Sequence, residues 1–229
     1  MNQKEISAAS IEQKKNDAVY KQIQMAMMKN EFPPGTVMSE RKISECFGVS
    51  RSPAREALKR FVLEGLMDQT ESGRIVIAQV TREDIEEVYN MLEHVEPYAG
   101  RLCAERVEPQ MIEDFEGVLE RMRTAIREGD REAQVWADFD FHAMIAHFAG
   151  LNRSLNALMS LCAQRIRIMN SIGDQNPKLS GNSIREHEGI VRAIAKGDGV
   201  EAEQRVRLHL YSVKFYYLEQ FDIQKLQEI

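Results

Sequence analysis

The segment from Ser39 to Leu66 constrains the fold of this 229-residue chain more than any other part of it. Ile43, Cys46 and Phe47 recur at the spacing of one buried helical face, and Gly48 then stands where a helix ends in a left-handed residue. Two candidate N-cap serines follow, at positions 50 and 52. A second apolar face comes next, made of Ala54, Ala57, Leu58, Phe61 and Val62. The sequence therefore predicts two short helices joined by a tight turn.

Positive charge is concentrated on the outer face of these two helices. Between Arg41 and Arg60 there are six basic residues against two acidic ones. A helix-turn-helix places its second helix in the major groove of DNA, where the first residues of that helix reach base edges and phosphates. The charged face of a helical hairpin is more often simply solvated, so charge alone does not decide the matter.

The next segment, residues 67–80, favours the DNA-binding interpretation. It contains a polar turn that ends at Gly73, followed by the β-branched run Ile75-Val76-Ile77. This pattern is typical of a small β-hairpin. A hairpin directly after the second helix predicts a winged helix-turn-helix domain.

A series of short motifs runs through this region at fixed spacing: Pro34-Gly35, Ser39-Glu40-Arg41, the run from Phe47 to Pro53, Arg55-Glu56-Ala57-Leu58 and Glu64-Gly65-Leu66. Together they resemble the DNA-binding signature of GntR-family transcription regulators. Arginine is the commonest bidentate reader of guanine, and serine hydroxyls suit phosphates. The resemblance implies contacts to double-stranded DNA from Arg41, Ser50, Arg51, Ser52 and Arg55, with Gly73 at the wing tip.

Charge divides the chain into two parts. The formal net charge is −6. Residues 1–80 hold 12 basic and 10 acidic side chains, a balance of +2, whereas residues 81–229 hold 18 and 26, a balance of −8. We therefore expect a DNA-binding domain over residues 1–80 and a separate acidic domain over residues 81–229.

The remaining composition is that of an ordinary globular protein of the cytoplasm. Cys46, Cys103 and Cys162 are far apart and form no CxxC pair, which argues against a disulfide framework or a cysteine zinc site and indicates buried or half-buried thiols. The N-terminus has no apolar signal region, and no apolar run approaches the length of a membrane span. We expect a cytoplasmic protein with no membrane partner.

Helical periodicity dominates the second part of the chain, so the predicted fold class is mainly α. Thr81 is the expected N-cap of its first helix, with Asp84 completing a capping box. Short breaks separate the helices and predict an antiparallel six-helix bundle. We expect the six helices at about 84–107, 109–127, 131–149, 152–171, 182–196 and 200–221, with a loop at 173–180. An additional helix at about 11–30 opens the winged domain.

All five histidines fall in the second domain. Asp138 and His142 are four residues apart, so they share one helical face, whereas Asp140 points elsewhere. His187 and His209 lie beside core-type residues on the fifth and sixth bundle helices. Three neutral imidazoles and one carboxylate suit a transition metal. By spacing alone, ordinary core or surface histidines are the commoner explanation. His94 and His147 keep that interpretation.

The sequence around these residues adds a second resemblance. The run from Asp138 to His142, Glu186-His187-Glu188 and then His209 resemble the FCD effector domain of the FadR subfamily of GntR regulators. This implies a metal held by Asp138, His142, His187 and His209. Zinc is the expected metal, and manganese or nickel is also compatible with these ligands.

One position departs from the family pattern. Many relatives have an arginine one turn before a glutamate in the first bundle helix. Alignment on Glu96 places Leu92 at the arginine position. Either the effector then brings other polar groups, or a different arginine, such as Arg165 or Arg167 on the fourth bundle helix, binds its carboxylate; we favour the second.

The resulting prediction is a homodimeric, metal-containing transcription regulator that is not an enzyme. Its effector would be a small metabolite, an organic acid, and its operator a pseudo-palindrome; the dimer is implied by the resemblance. One alternative is a metal-dependent hydrolase with Glu186 or Glu188 as general base for a metal-bound water. Another is a purely structural metal without an effector.

Overall fold

The chain divides into two compact units, Met1–Gln79 and Val80–Ile229. The computed structural model describes residues 16–27, 29, 31–151 and 177–227. Most of these residues are helical, and a small antiparallel sheet lies in the first unit. This confirms the predicted fold class.

The first unit is a winged helix-turn-helix. Its elements are α1 (16–27), β1 (Val37–Met38), α2 (Glu40–Phe47), α3 (Arg51–Leu63), β2 (Met67–Gln69) and β3 (Ile75–Ile77). The three strands pair in the order β1-β3-β2, with Val37 opposite Val76 and Met67 opposite Ile77. The predicted hairpin is β2–β3. Strand β1 was not expected, because two residues are too few to show a period of two.

Local sequence signals fix both ends of α2. The Ser39 hydroxyl accepts a hydrogen bond from the Lys42 amide, and Gly48 ends the helix in the left-handed region at φ 65°. Ile43 is fully buried, but Cys46 is exposed, so the predicted three-residue buried face is wrong at Cys46. In the last turn of α2, Ser44 and Phe47 are half-buried, whereas Glu45 and Cys46 are exposed.

A cluster of side chains fastens α1 to α3. The Tyr20 ring stacks on Phe61 at 4.4 Å between centroids, and the Arg60 guanidinium lies 3.7 Å over the Tyr20 ring. Arg60 also pairs with Glu64 at 2.8 Å and with Asp17 at 3.3 Å. Burial, with the hydrogen bond to Glu64, raises the pKa of Tyr20 well above its usual value. Arg60 remains exposed, but its charge is paired within this unit by Glu64 and Asp17.

The second unit is a helical bundle. Its described helices are α4 (Arg82–Ala104), α5 (Pro109–Glu128), α6 (Arg131–Phe148), α7 (Pro177–Ala195) and α8 (Gly199–Gln227). The capping box of Thr81 and Asp84 is present as predicted. Helix α7 begins at Pro177, earlier than expected, because proline suits the first turn of a helix. The predicted helix at 152–171, with Arg165, Arg167 and Cys162, lies outside the described residues.

Helices α4 and α8 pack tightly against each other. A Cβ added at Gly100 would lie 2.9 Å from Val206 Cγ2. Pro97, inside α4, cannot donate to the Glu93 carbonyl, and Arg207 Nη1 donates to that oxygen instead at 3.0 Å. These contacts hold α4 against α8 at the level of the histidine cluster described below.

Nothing in the described part of the chain has both the length and the apolar character of a membrane-spanning helix.

Candidate metal centre and nucleic-acid interface

Four side chains from three helices converge in the interior of the second unit. Asp138 and His142 come from α6, His187 from α7 and His209 from α8, and all four are buried. Each offers one ligand atom, and these atoms all lie within 4.8 Å of one another. The structure thus brings together all four residues that the sequence analysis predicted as metal ligands.

Two glutamates orient two of the three histidines of this cluster. His142 Nδ1 lies 2.6 Å from Glu96 Oε2, and Glu96 is itself only 1% exposed. His209 Nδ1 lies 2.8 Å from Glu186 Oε2, and the Ser212 hydroxyl donates to the same carboxylate at 3.1 Å. An imidazole that donates through Nδ1 keeps the lone pair on Nε2, the tautomer a metal requires. His142 Nε2 is buried and has no hydrogen-bond partner among the described residues.

The sequence did not indicate the role of these glutamates. Glu96 lies four residues after Leu92 in the apolar stripe of α4, and a carboxylate at a core position signals a buried partner. Glu186 and Glu188 were considered only as general bases. The structure instead directs Glu186 to His209 and Ser212, while Glu188 accepts from Arg123 Nη2 at 2.9 Å.

The neighbouring residues behave as their spacing predicted. Asp140 points away from the cluster and pairs with Arg121 at 2.7 Å. His94 and His147 are exposed and lie outside the cluster. Leu92 is fully buried. An apolar side chain therefore fills the position at which the resemblance led us to expect an arginine.

The predicted DNA-contacting residues form part of the surface of the first unit. Ser50 is the N-cap residue of α3, but its side chain makes no capping hydrogen bond. Gly73 adopts φ 78° in the turn between β2 and β3, where Thr70 N donates to Arg74 O at 2.8 Å. All six predicted residues are exposed: Arg41, Ser50, Arg51, Ser52, Arg55 and Gly73.

Arg55 differs from the other arginines of this surface in its pairing. Its Nε and Nη2 donate to the two carboxylate oxygens of Glu40 at 2.6 and 3.2 Å. Both residues line a cleft of about 290 Å³ between α3 and the wing, together with Lys59, Gly73 and Arg74. Arg41, by contrast, makes one long contact of 3.5 Å to Glu45 on its own helix.

Comparison with known families agrees with this architecture. The family described as bacterial regulatory proteins, gntR family, matches residues 15–76, and the FCD domain matches residues 87–212. The chain belongs to the GntR family. It is a DNA-binding transcription regulator with an FCD domain, and this confirms the expectation that it is not an enzyme. The metal-dependent hydrolase alternative has no support among its relatives.

Individual relatives extend over most of the chain. The uncharacterized HTH-type transcriptional regulator YdhC of Bacillus subtilis (strain 168) is 27% identical over 197 residues, covering 83% of this chain and 85% of its own. The HTH-type transcriptional regulator LutR of the same organism is 28% identical over 209 residues, covering 82% and 94%. Among solved structures, Escherichia coli McbR/YncC superposes with a TM-score of 0.80 at 18% identity, covering 90% and 98%, which supports the fold.

Proposed function

We propose that this GntR regulator senses a small metabolite through a divalent metal bound by Asp138, His142, His187 and His209. The observation that carries the proposal is the buried convergence of these four side chains, with His142 Nε2 directed into it. Nitrogen and oxygen donors of this kind suit zinc, and also manganese or nickel. A bound cation would supply a Lewis-acidic position for an oxygen atom of the effector.

The charges around the cluster support a cation. The buried carboxylates Asp138 and Glu96 and the half-buried Glu186 lie beside the three imidazoles, and burying a carboxylate without compensation is costly. Protonating all the imidazoles would place N–H donors against one another within 4.8 Å. A divalent ion compensates the carboxylates and accepts the Nε2 lone pairs at the same time. The donor set therefore fits a resident metal.

The effector is proposed to be an organic acid. With Leu92 buried in the position of the usual arginine, α4 offers no cation there for a carboxylate. Arg165 or Arg167 is proposed to supply that contact. Effector binding then changes DNA affinity because the effector prefers one of two arrangements of the regulator.

We propose that the regulator is a homodimer formed through the outer faces of α4 and α8. Exposed large apolar side chains recur on both helices at intervals that keep them on one face. They are Met91 and Tyr98 on α4, at 50% and 54% exposure, and Leu208, Tyr211 and Phe215 on α8, at 67%, 61% and 63%. An apolar patch of this kind is typical of a protein–protein interface. A two-fold dimer would read a pseudo-palindromic operator with one winged helix on each half-site.

On DNA, we propose that Arg51, Ser52 and Arg55 contact the major groove from α3. Arg41 and Ser50 would bind phosphates, and Gly73 would bring the wing close to the backbone. All are exposed, and three of them lie in the first five residues of α3. This is the part of a recognition helix that reaches base edges.

The test combines operator binding with metal and acid titrations on the full-length dimer. A fragment of the regulator's own promoter is bound, and a panel of small acids is added with metal present and after chelation. We expect one acid to change DNA affinity only when metal is present, and Asp138→Ala to abolish that response while basal DNA binding persists. A metal-loaded protein that ignores every acid in the panel supports a purely structural metal instead.

A further inference from the structure

The contact between Glu40 and Arg55 joins the two helices of the helix-turn-helix. Glu40 is the first residue of α2, and Arg55 is the fifth residue of α3. Two adjacent N–H groups of the guanidinium meet the two oxygens of one carboxylate, at 2.6 and 3.2 Å. Such a fork-to-fork pair fixes orientation as well as distance. Arg41–Glu45 and Lys59–Glu56, by contrast, are single contacts within one helix.

The pairing leaves the DNA-reading edge of Arg55 available. A guanidinium has five N–H donors, and Glu40 takes one on Nε and one on Nη2. The outer edge, formed by Nη1 and the second hydrogen of Nη2, keeps the parallel donors that guanine O6 and N7 accept. The hydrogen bonds also lower the pKa of Glu40 and raise the pKa of Arg55, so both groups stay charged at neutral pH.

A carboxylate on a DNA-facing surface repels phosphates, so its presence there calls for a compensating role. The ion pair does not explain Glu40 through stability. The side chains of Glu40 and Arg55 are 33% and 57% exposed, and ion pairs between side chains this exposed contribute little to the stability of the fold. Two further cations, Lys59 and Arg74, line the same cleft and keep its field positive. The bidentate contact instead indicates that Glu40 orients the Arg55 side chain.

We propose that Glu40 is a positioning residue that holds the outer edge of Arg55 toward one guanine in each operator half-site. The proposal rests on the DNA contact of Arg55 proposed above. Without Glu40, the arginine keeps its charge but samples several rotamers, some of which reach phosphates instead of the base. Glu40 thereby converts a charge that attracts any DNA into a contact that selects a sequence.

The experiment measures base preference and affinity separately. The full-length protein selects sites from randomised duplex DNA, and fluorescence anisotropy then measures its affinity for the selected site and for single-base variants at one salt concentration. The variants are Glu40→Ala, Glu40→Gln, Arg55→Ala and Glu40→Ala with Arg55→Ala. Glu45→Ala is the matched control, because it also removes a glutamate from an arginine pair on α2.

We expect the parent to prefer guanine at one position per half-site and Arg55→Ala to lose that preference. Glu40→Ala should reduce the preference by about 10-fold at the same position only, while its affinity for non-specific DNA stays equal or rises. Glu40→Gln, with one acceptor oxygen, should fall between. Glu45→Ala should leave every base preference unchanged, and the double variant should match Arg55→Ala.

Each of the other outcomes shows which part of the proposal is wrong. If Arg55→Ala keeps the guanine preference, the proposed DNA contact of Arg55 is wrong and the positioning role falls with it. If Arg55→Ala loses the preference but Glu40→Ala keeps it in full, Glu40 does not position Arg55. Equal weakening on all sequences by Glu40→Ala, with a lower melting temperature, would assign Glu40 a purely structural role.

Discussion

Glu96 gives the sharpest test of how the metal cluster is built. The carboxylate is 1% exposed, and its Oε2 lies 2.6 Å from His142 Nδ1. Glu96→Gln keeps the size of the side chain and an oxygen that accepts the Nδ1 hydrogen, but removes the negative charge. We expect the fold to survive and the metal affinity to fall.

The expected loss of metal affinity in Glu96→Gln follows from the distance between this carboxylate and the cluster. Adding a metal–nitrogen bond and the width of an imidazole to the 2.6 Å contact places the carboxylate about 6 Å from a metal on Nε2. At an effective dielectric constant of about 20, a divalent ion and a unit charge at that distance interact by about 5 kcal/mol, an upper bound. Removing such orienting partners elsewhere costs about 10- to 100-fold in affinity, or about 1.4 to 2.7 kcal/mol. We expect the 10- to 100-fold range rather than the full Coulomb energy, because Glu96→Gln keeps an oxygen that accepts the Nδ1 hydrogen of His142.

The assay is competition for zinc against a chelator of known affinity, followed by thermal unfolding with and without metal. A 10- to 100-fold loss should shrink the metal-induced rise in melting temperature by about 3 to 10 °C. Glu188→Gln is the control, since Glu188 lies beside His187 in sequence but pairs with Arg123 instead. Equal losses in the two variants would refute the reasoning. So would a Glu96→Gln protein that loses as much stability without metal as with it.

Three further predictions concern packing, thiol reactivity and pH. Gly100→Ala should destabilise the second unit by about 1–3 kcal/mol in chemical unfolding, because the new Cβ would meet Val206 at 2.9 Å, whereas Gly117→Ala, in open space, should not. Cys46 should react with a thiol reagent before Cys103, whose pKa burial raises to about 12, and peptide mapping of the labelled protein showing the reverse order would contradict this. Metal affinity should fall as pH drops into the range where histidine titrates, because protons compete for the ligating nitrogens, and a chelator competition with no pH dependence would argue against imidazole ligands.

Local signals made much of the fold predictable. The capping box at Thr81, the left-handed Gly48 and the proline at the start of α5 each act within a few residues, so the sequence displays them. The exposure of Cys46 was not predictable in this way, since it depends on how far the rest of the unit covers α2. Short elements such as β1 are likewise fixed by their neighbours rather than by their own pattern.

The functional residues show the same contrast between local signals and contacts that depend on packing. The spacing of Asp138 and His142 placed that pair on one helical face, but only the family resemblance implied that they hold a metal together with His187 and His209. The contact of Glu96 with His142 spans 46 residues, and that of Arg55 with Glu40 spans 15 residues and two helices. Neither separation has a period that a sequence can reveal. Only the packing of the helices determines which carboxylate meets which donor.

The most direct test of the central claim is the metal content of the full-length protein, purified without chelator and measured by inductively coupled plasma mass spectrometry against protein concentration. We expect about one divalent ion per chain. His142→Ala and Asp138→Ala should lose it, and His147→Ala, an exposed histidine on the same helix, should retain it. A parent without stoichiometric metal, even after incubation with zinc, manganese or nickel, would contradict the account.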